Sequence, residues 1–206
     1  MRPATRDRSP RLAPLGGLGL LLAALALTGC GPSPDDVGED GAPPLVTLAE
    51  RGDLPGIEVL LARAPTADVR DACDWTPLMK AALNGHREVV ARLLAAGAKV
   101  DAEDKGGYTA MMLAASNDQM ASVDLLIERG AMVDHQERTN GWTALTWAAK
   151  QGHIASVRRL LAAGADATLR DFHGRTAPDW ARAEGHSEVL VLLTGGGTPA
   201  AAAADP

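Results

Sequence analysis

Five histidines and two cysteines are the side chains in this 206-residue sequence best suited to chemistry near neutral pH. Three of the histidines keep a rhythm: His86, His153 and His186, with Gln119 on the missing beat, stand 33, 34 and 33 residues apart. Such a ladder could bind a metal. However, no His-Glu-x-x-His, phosphate loop, Gly-x-Ser-x-Gly or paired-cysteine pattern accompanies it. The residue types for acid–base or nucleophilic work are present without a constellation that would use them. No catalytic residue, metal site or cofactor is therefore expected, and the three histidines are expected to be structural. His135 and His173 fall in turn-like segments, where a partner or water could meet them. Met79, Met111, Met112, Met120 and Met132 could scavenge oxidants, but methionines at apolar helical positions are usually core filler.

The rhythm of the histidines extends to the elements that must position them. Thr76, Thr109, Thr143 and Thr176 repeat with the same spacing, as do Gly97, Gly130 and Gly164. A fixed period in this range marks stacked supersecondary units. One unit runs Asp74-Trp75-Thr76-Pro77-Leu78-Met79-Lys80-Ala81-Ala82, then Gly85-His86, Val89-Val90, Leu93-Leu94 and Gly97-Ala98. Thr76 can accept from free amides at a helix start, and Pro77 suits the first helical position, where no amide hydrogen is needed. The alanine pair keeps that helix thin, so neighbouring units can approach. Val90, Leu93 and Leu94 at i, i+3 and i+4 give a second helix one apolar stripe, which stacking alone can bury. Glycines at 97, 130 and 164 suit the left-handed residue that ends a helix, and Asp74 replaces the turn glycine of Gly107, Gly141 and Gly174.

This pattern resembles the ankyrin repeat, with its turn, Thr-Pro-Leu-His-x-Ala-Ala, Gly-His, Val/Leu-rich second helix and closing Gly-Ala-Asp. Later units match as Gly107-Tyr108-Thr109 with Ala114-Ala115, Gly141-Trp142-Thr143 with Ala148-Ala149, and Gly174-Arg175-Thr176 with Ala181. An eroded unit lies one period upstream, with Leu45, Ala49, Gly52, Ile57, Leu60 and Leu61 in register with Leu78, Ala82, Gly85, Val90, Leu93 and Leu94. The resemblance implies an all-α ankyrin-repeat solenoid of about five repeats over residues 45–193, built of helix-turn-helix units with short β-hairpin turns. The family's histidine after Thr-Pro-Leu is replaced by Met79, Met112, Thr146 and Asp179, which puts its inter-repeat polar network in doubt. One extra residue between Gly130 and Thr143 should lengthen the loop at 135–140.

Only six aromatic residues occur. Trp75, Tyr108 and Trp142 stand just before the repeat's threonine, Arg175 holds that place in the last unit, and Phe172 marks a hairpin tip. In the family this position lies on the concave face and often contacts partners. The resemblance thus implies a partner-binding set of Trp75, Tyr108, Trp142, Phe172 and Arg175, with packing of each ring on the neighbouring hairpin as the plainer reading. Trp147 and Trp180 fall where the family places a buried leucine and are expected in the core.

Residues 1–29 do not belong to the repeats. Arg2, Arg6, Arg8 and Arg11 form a positive n-region, and residues 15–27 form an apolar stretch too short to span a bilayer as a helix. Leu27-Thr28-Gly29-Cys30 then resembles the cleavage site of a bacterial lipoprotein signal, with Cys30 as the lipid-bearing first residue of the mature chain. Gly31, which is not the aspartate that favours inner-membrane retention, points to the outer membrane facing the periplasm. Residues 30–44 form a Pro-, Gly- and Asp-rich tether, of which residues 32–44 span about 45 Å at most. Residues 194–206 form a low-complexity tail. The mature chain would keep 16 basic and 25 acidic residues, a formal charge of −9, with no basic footprint for nucleic acid. Cys73 is the only other cysteine, so no internal disulfide is expected in the mature chain; an exposed Cys73 could bridge two molecules, but an incidental thiol is expected.

These features together describe a protein-binding module, not an enzyme, lipid-anchored in the envelope with a protein partner and no nucleic acid. Two narrower roles stand beside it. One is oxidative-stress protection by partnering a peroxide-detoxifying enzyme, suggested by a resemblance to exported ankyrin proteins. The other is an immunity or inhibitor protein against a toxin or enzyme.

Overall fold

The computed structural model describes residues 42–63 and 66–195, which hold ten α-helices and, among the described residues, no strand. The leader and nearly all of the tether and tail lie outside these residues. The helices are α1 (Pro44–Arg51), α2 (Leu54–Arg63), α3 (Pro77–Leu83), α4 (Arg87–Ala95), α5 (Ala110–Ser116), α6 (Met120–Glu128), α7 (Ala144–Gln151), α8 (Ile154–Ala162), α9 (Ala177–Ala183) and α10 (Ser187–Leu193). Odd-numbered helices stack in one row, each on the next, and even-numbered helices stack in a second. Five helical pairs thus form the expected all-α solenoid.

Each odd helix starts where the sequence places its threonine. Oγ1 of Thr76, Thr109 and Thr143 accepts from the amides of Met79, Met112 and Thr146 at 3.3, 3.5 and 3.1 Å. The last unit reverses the arrangement. There Asp179 Oδ2 accepts from both the amide and the hydroxyl of Thr176, at 3.0 and 2.8 Å. Met79 Sδ likewise takes the Thr76 amide at 3.4 Å. Three of the four residues that replace the family's histidine, Met79, Thr146 and Asp179, thus reach back to their own helix cap.

Leu93 and Leu126 are fully buried, as the register requires, and the alanines at 81, 82, 114, 115, 148 and 149 have no exposed surface at all. In the first unit the roles shift: Leu61 is buried while Leu60 lines an open groove with Leu48 and Val59. Position 60 corresponds to Leu93, which faces the preceding unit, and no described unit precedes α1. Val59 and Val191, on the two terminal even helices, are left exposed for the same reason. Met79, Met111 and Met112 are core residues as expected, but Met132 is exposed, because it stands in the loop after α6 and not on a helix.

The expected β-hairpins are tight turns, each closed by a backbone bond across it. Asp71, Asp104 and Asp171 donate to the carbonyl four residues on, at Trp75, Tyr108 and Arg175 (3.1, 3.1 and 2.8 Å), while Glu137 donates five residues on, to Trp142, at 3.0 Å. The extra residue foreseen at 135–140 is thus absorbed inside that turn. Neighbouring hairpins are linked by Lys105 N to Cys73 O, Arg138 N to Gly106 O and Phe172 N to Asn140 O. Such sparse pairing is too little for a strand.

Candidate partner-binding face

The face is organised by four carboxylates that recur one per hairpin: Asp71, Asp104, Glu137 and Asp171. Asp71 Oδ1 accepts from the amides of Cys73 and Trp75, and Asp104 Oδ1 from those of Gly106 and Tyr108, all at 2.8–2.9 Å. Glu137, fully buried, accepts from Asn140 and Trp142 amides and from both groups of Thr139. Its longer side chain matches the longer turn. No motif in the sequence announces this role. An acid five residues before each threonine, six in the lengthened unit, was the available signal.

Two of the same carboxylates, Asp104 and Asp171, face the indoles that precede Thr76 and Thr143. Asp171 Oδ2 accepts from the indole nitrogens of Trp142 at 3.1 Å and Trp180 at 2.9 Å. The Trp75 indole faces Asp104 in the next hairpin and helps to lower that carboxyl. Tyr108 Oη bonds Thr139 Oγ1 at 3.1 Å, again one hairpin on. Burial raises the Asp104 carboxyl above its ordinary value, although several donors work against it. Burial also pushes on Asp171, but its amide and indole donors prevail and leave it lowered.

Four of the rings, those of Tyr108, Trp147, Trp142 and Trp180, form a connected strip, with Trp75 and Phe172 outside it. Trp142 meets Trp147 edge-on at 4.7 Å and Trp180 at 5.1 Å, and Tyr108 lies tilted against Trp147 at 6.1 Å. Cations lie over rings inside and outside it: Lys80 lies 4.8 Å from the Trp75 ring, Lys150 5.1 Å from Trp180, and Arg175 4.7 Å from Trp180. Exposure differs along the face. Trp75 and Trp142 are half-buried, Phe172 and Arg175 are exposed, and Tyr108 retains only 5% of its surface. Tyr108 is therefore a packing residue, because its ring is sandwiched in the stack and its hydroxyl spans to the next hairpin. Trp147 is core as expected, with its indole nitrogen buried and without a partner. Trp180 departs from expectation: it is half-exposed, since α9 has no described odd helix beyond it.

The histidine rhythm has a structural use. His86, His153 and His186 each donate from Nε2 to a carbonyl near the end of an odd helix in the preceding unit, Glu50, Ser116 and Lys150, at 2.9–3.0 Å. Close approach needs a glycine beneath the ring: a methyl at Gly152 would lie 2.7 Å from His186. His135 is held too, donating to Gly107 O at 3.0 Å, while His173 is exposed on the last hairpin. Among the described residues no three His, Cys, Asp or Glu side chains gather as a metal site would need.

A family model of ankyrin repeats, three copies long, matches this chain over residues 20–104, 45–137, 92–171 and 123–200. The chain belongs to the ankyrin-repeat family. Ankyrin repeats generally mediate protein–protein interaction and are typically non-catalytic, so this ankyrin module has a protein as its partner. Cys73, expected as an incidental exposed thiol, is instead half-buried and disulfide-bonded.

Proposed function

We propose that the protein is a non-catalytic ankyrin module of the bacterial cell envelope that holds a partner protein on its hairpin edge. The observation that carries this reading is the hairpin edge itself, where Trp75, Trp142 and Phe172 keep exposed surface near Lys80, Lys150 and Arg175. Tryptophan and arginine dominate interface energetics, each costing about 2 kcal/mol or more when truncated at a hot spot. Replacing Trp75, Trp142 and Phe172 together by alanine should remove most of the affinity for a partner purified with the wild-type module, with helicity retained. Full affinity in a calorimetric titration would move the site to the even-numbered helices or the loop at 135–140.

The address is the second part of the proposal. Its support is the tetrapeptide Leu27-Thr28-Gly29-Cys30 after an apolar stretch, with Gly31 favouring the outer membrane facing the periplasm. The acidic mature chain would be repelled by anionic lipid, so attachment would depend on acyl chains, each buried methylene contributing about 0.8 kcal/mol. Radioactive fatty acid should label the wild type and not Cys30→Ser, and the mass of the Cys30 peptide should show the lipid. A Cys30 peptide linked to Cys73 would instead show the disulfide and end the lipoprotein reading.

A further inference from the structure

The last hairpin inverts the charge of an otherwise acidic chain. Its carboxylate, Asp171, is 6% exposed and turned inward onto the amides of His173 and Arg175 and the indoles of Trp142 and Trp180. Nearby acids are engaged as well: Asp179 with Thr176 and Arg182, Glu184 with Lys150 at 2.7 Å, and Asp166 with Thr168. The cations have no such match. Arg170 donates to the Gly174 carbonyl at 2.6 Å and Arg175 lies over Trp180, and among the described residues neither pairs with a carboxylate. Both are exposed and held in place, which leaves guanidinium donors without an anion. Between them Phe172 is 65% exposed. Its amide donates to Asn140 O at 2.8 Å and its ring lies over Gly141, where a methyl would come within 2.7 Å.

Resting on the partner-binding reading above, we propose that this hairpin receives an acidic, extended segment of the partner protein. One carboxylate meets Arg170 and Arg175, and an adjacent apolar side chain lies on Phe172. Arginine forks suit carboxylates bidentately. Successive hairpins stand about one helix-packing distance apart, 8–10 Å, which about three extended residues span. Nucleic acid does not fit, because a polyanion needs several phosphate-neutralising cations and this molecule is acidic elsewhere.

The test uses the mature full chain and a fluorescent pentapeptide with a central leucine flanked on each side by aspartate and glutamate, beside a control with amides in place of the acids. Anisotropy should show binding of the acidic peptide only, weakening as salt rises. Arg170→Gln and Arg175→Gln should each reduce affinity about tenfold, with helicity unchanged, and Phe172→Ser should lower it independently of salt. Equal binding of the two peptides, no binding, or indifference to both arginine substitutions overturns the proposal. The natural partner separates the two readings. If its affinity survives the arginine substitutions but falls with the Trp75, Trp142 and Phe172 alanine variant, the hairpin edge stands and the acidic segment is wrong. If it survives both, the edge itself is wrong.

Discussion

Asp171 and Asp104 each face several hydrogen-bond donors with a single carboxyl group, but Asp104 lies where desolvation is the stronger. That difference decides the sign of each proton equilibrium. Burial opposes charge at both residues, but at Asp171 the donors outweigh it and at Asp104 they do not. A carboxyl lowered in the folded state contributes stability above its ordinary value of 3.8 and loses it as pH falls through the folded value. A raised carboxyl does the opposite: the native state takes up its proton first, so stability increases as pH falls through the folded value toward 3.8. Asp171→Asn should therefore be less stable than the wild type at pH 7 and should lose less on acidification below about pH 4. Asp104→Asn should lose the stability gain that Asp104 gives on mild acidification above that point. Thermal melts between pH 7 and pH 3 check both. Parallel acid limbs for the wild type and Asp171→Asn would mean that the indole and amide donors do not set this proton.

At the scale of elements, the helices were legible because each one carries its own local instructions. Thr76 with Pro77 starts α3 whatever surrounds it, and Leu93 with Leu94 declares a buried stripe. The hairpins were not legible in the same way. Tyr108 and Trp142 occupy equivalent positions, yet one is buried and the other half-open, because their exposure depends on what the next unit supplies: Thr139 for one ring, Trp180 and Asp171 for the other. The position of Trp180 is core in interior units, and only its place at the end of the row exposes it. The histidines show how units are joined. His153 donates to Ser116 O across 37 positions of sequence, and without it that helix-terminal carbonyl loses a donor. His153→Ala should cost about 1–3 kcal/mol, the range for leaving such a group unsatisfied. Added zinc should leave the wild-type melting temperature unchanged, and a marked rise would restore the metal ladder that the carbonyl bonds argue against.

The described residues form two rows of short helices, seven to ten residues each, which no single unit could keep folded. Its stability is then a sum of weak units and the interfaces between neighbours. Leu93 sits on α4 between the first and third units, and Leu126 on α6 between the second and fourth; both have no exposed surface. Truncating either to alanine should cost about 2–5 kcal/mol, the range for buried leucine. Their consequences should differ in place. Leu93→Ala weakens an interface next to the N-terminal unit, where Pro43 gives α1 no side-chain cap and Val59 lies open. Amide exchange in that variant should therefore rise first in α1 and α2 while α5 to α10 stay protected. Leu126→Ala weakens the middle of the array, so it should divide one cooperative melt into two or lower the whole transition. Val191→Ala, on the open outer side of α10, should leave the melt nearly unchanged. Melts of Leu93→Ala and Leu126→Ala that match the wild type would show that these leucines do not join the repeats.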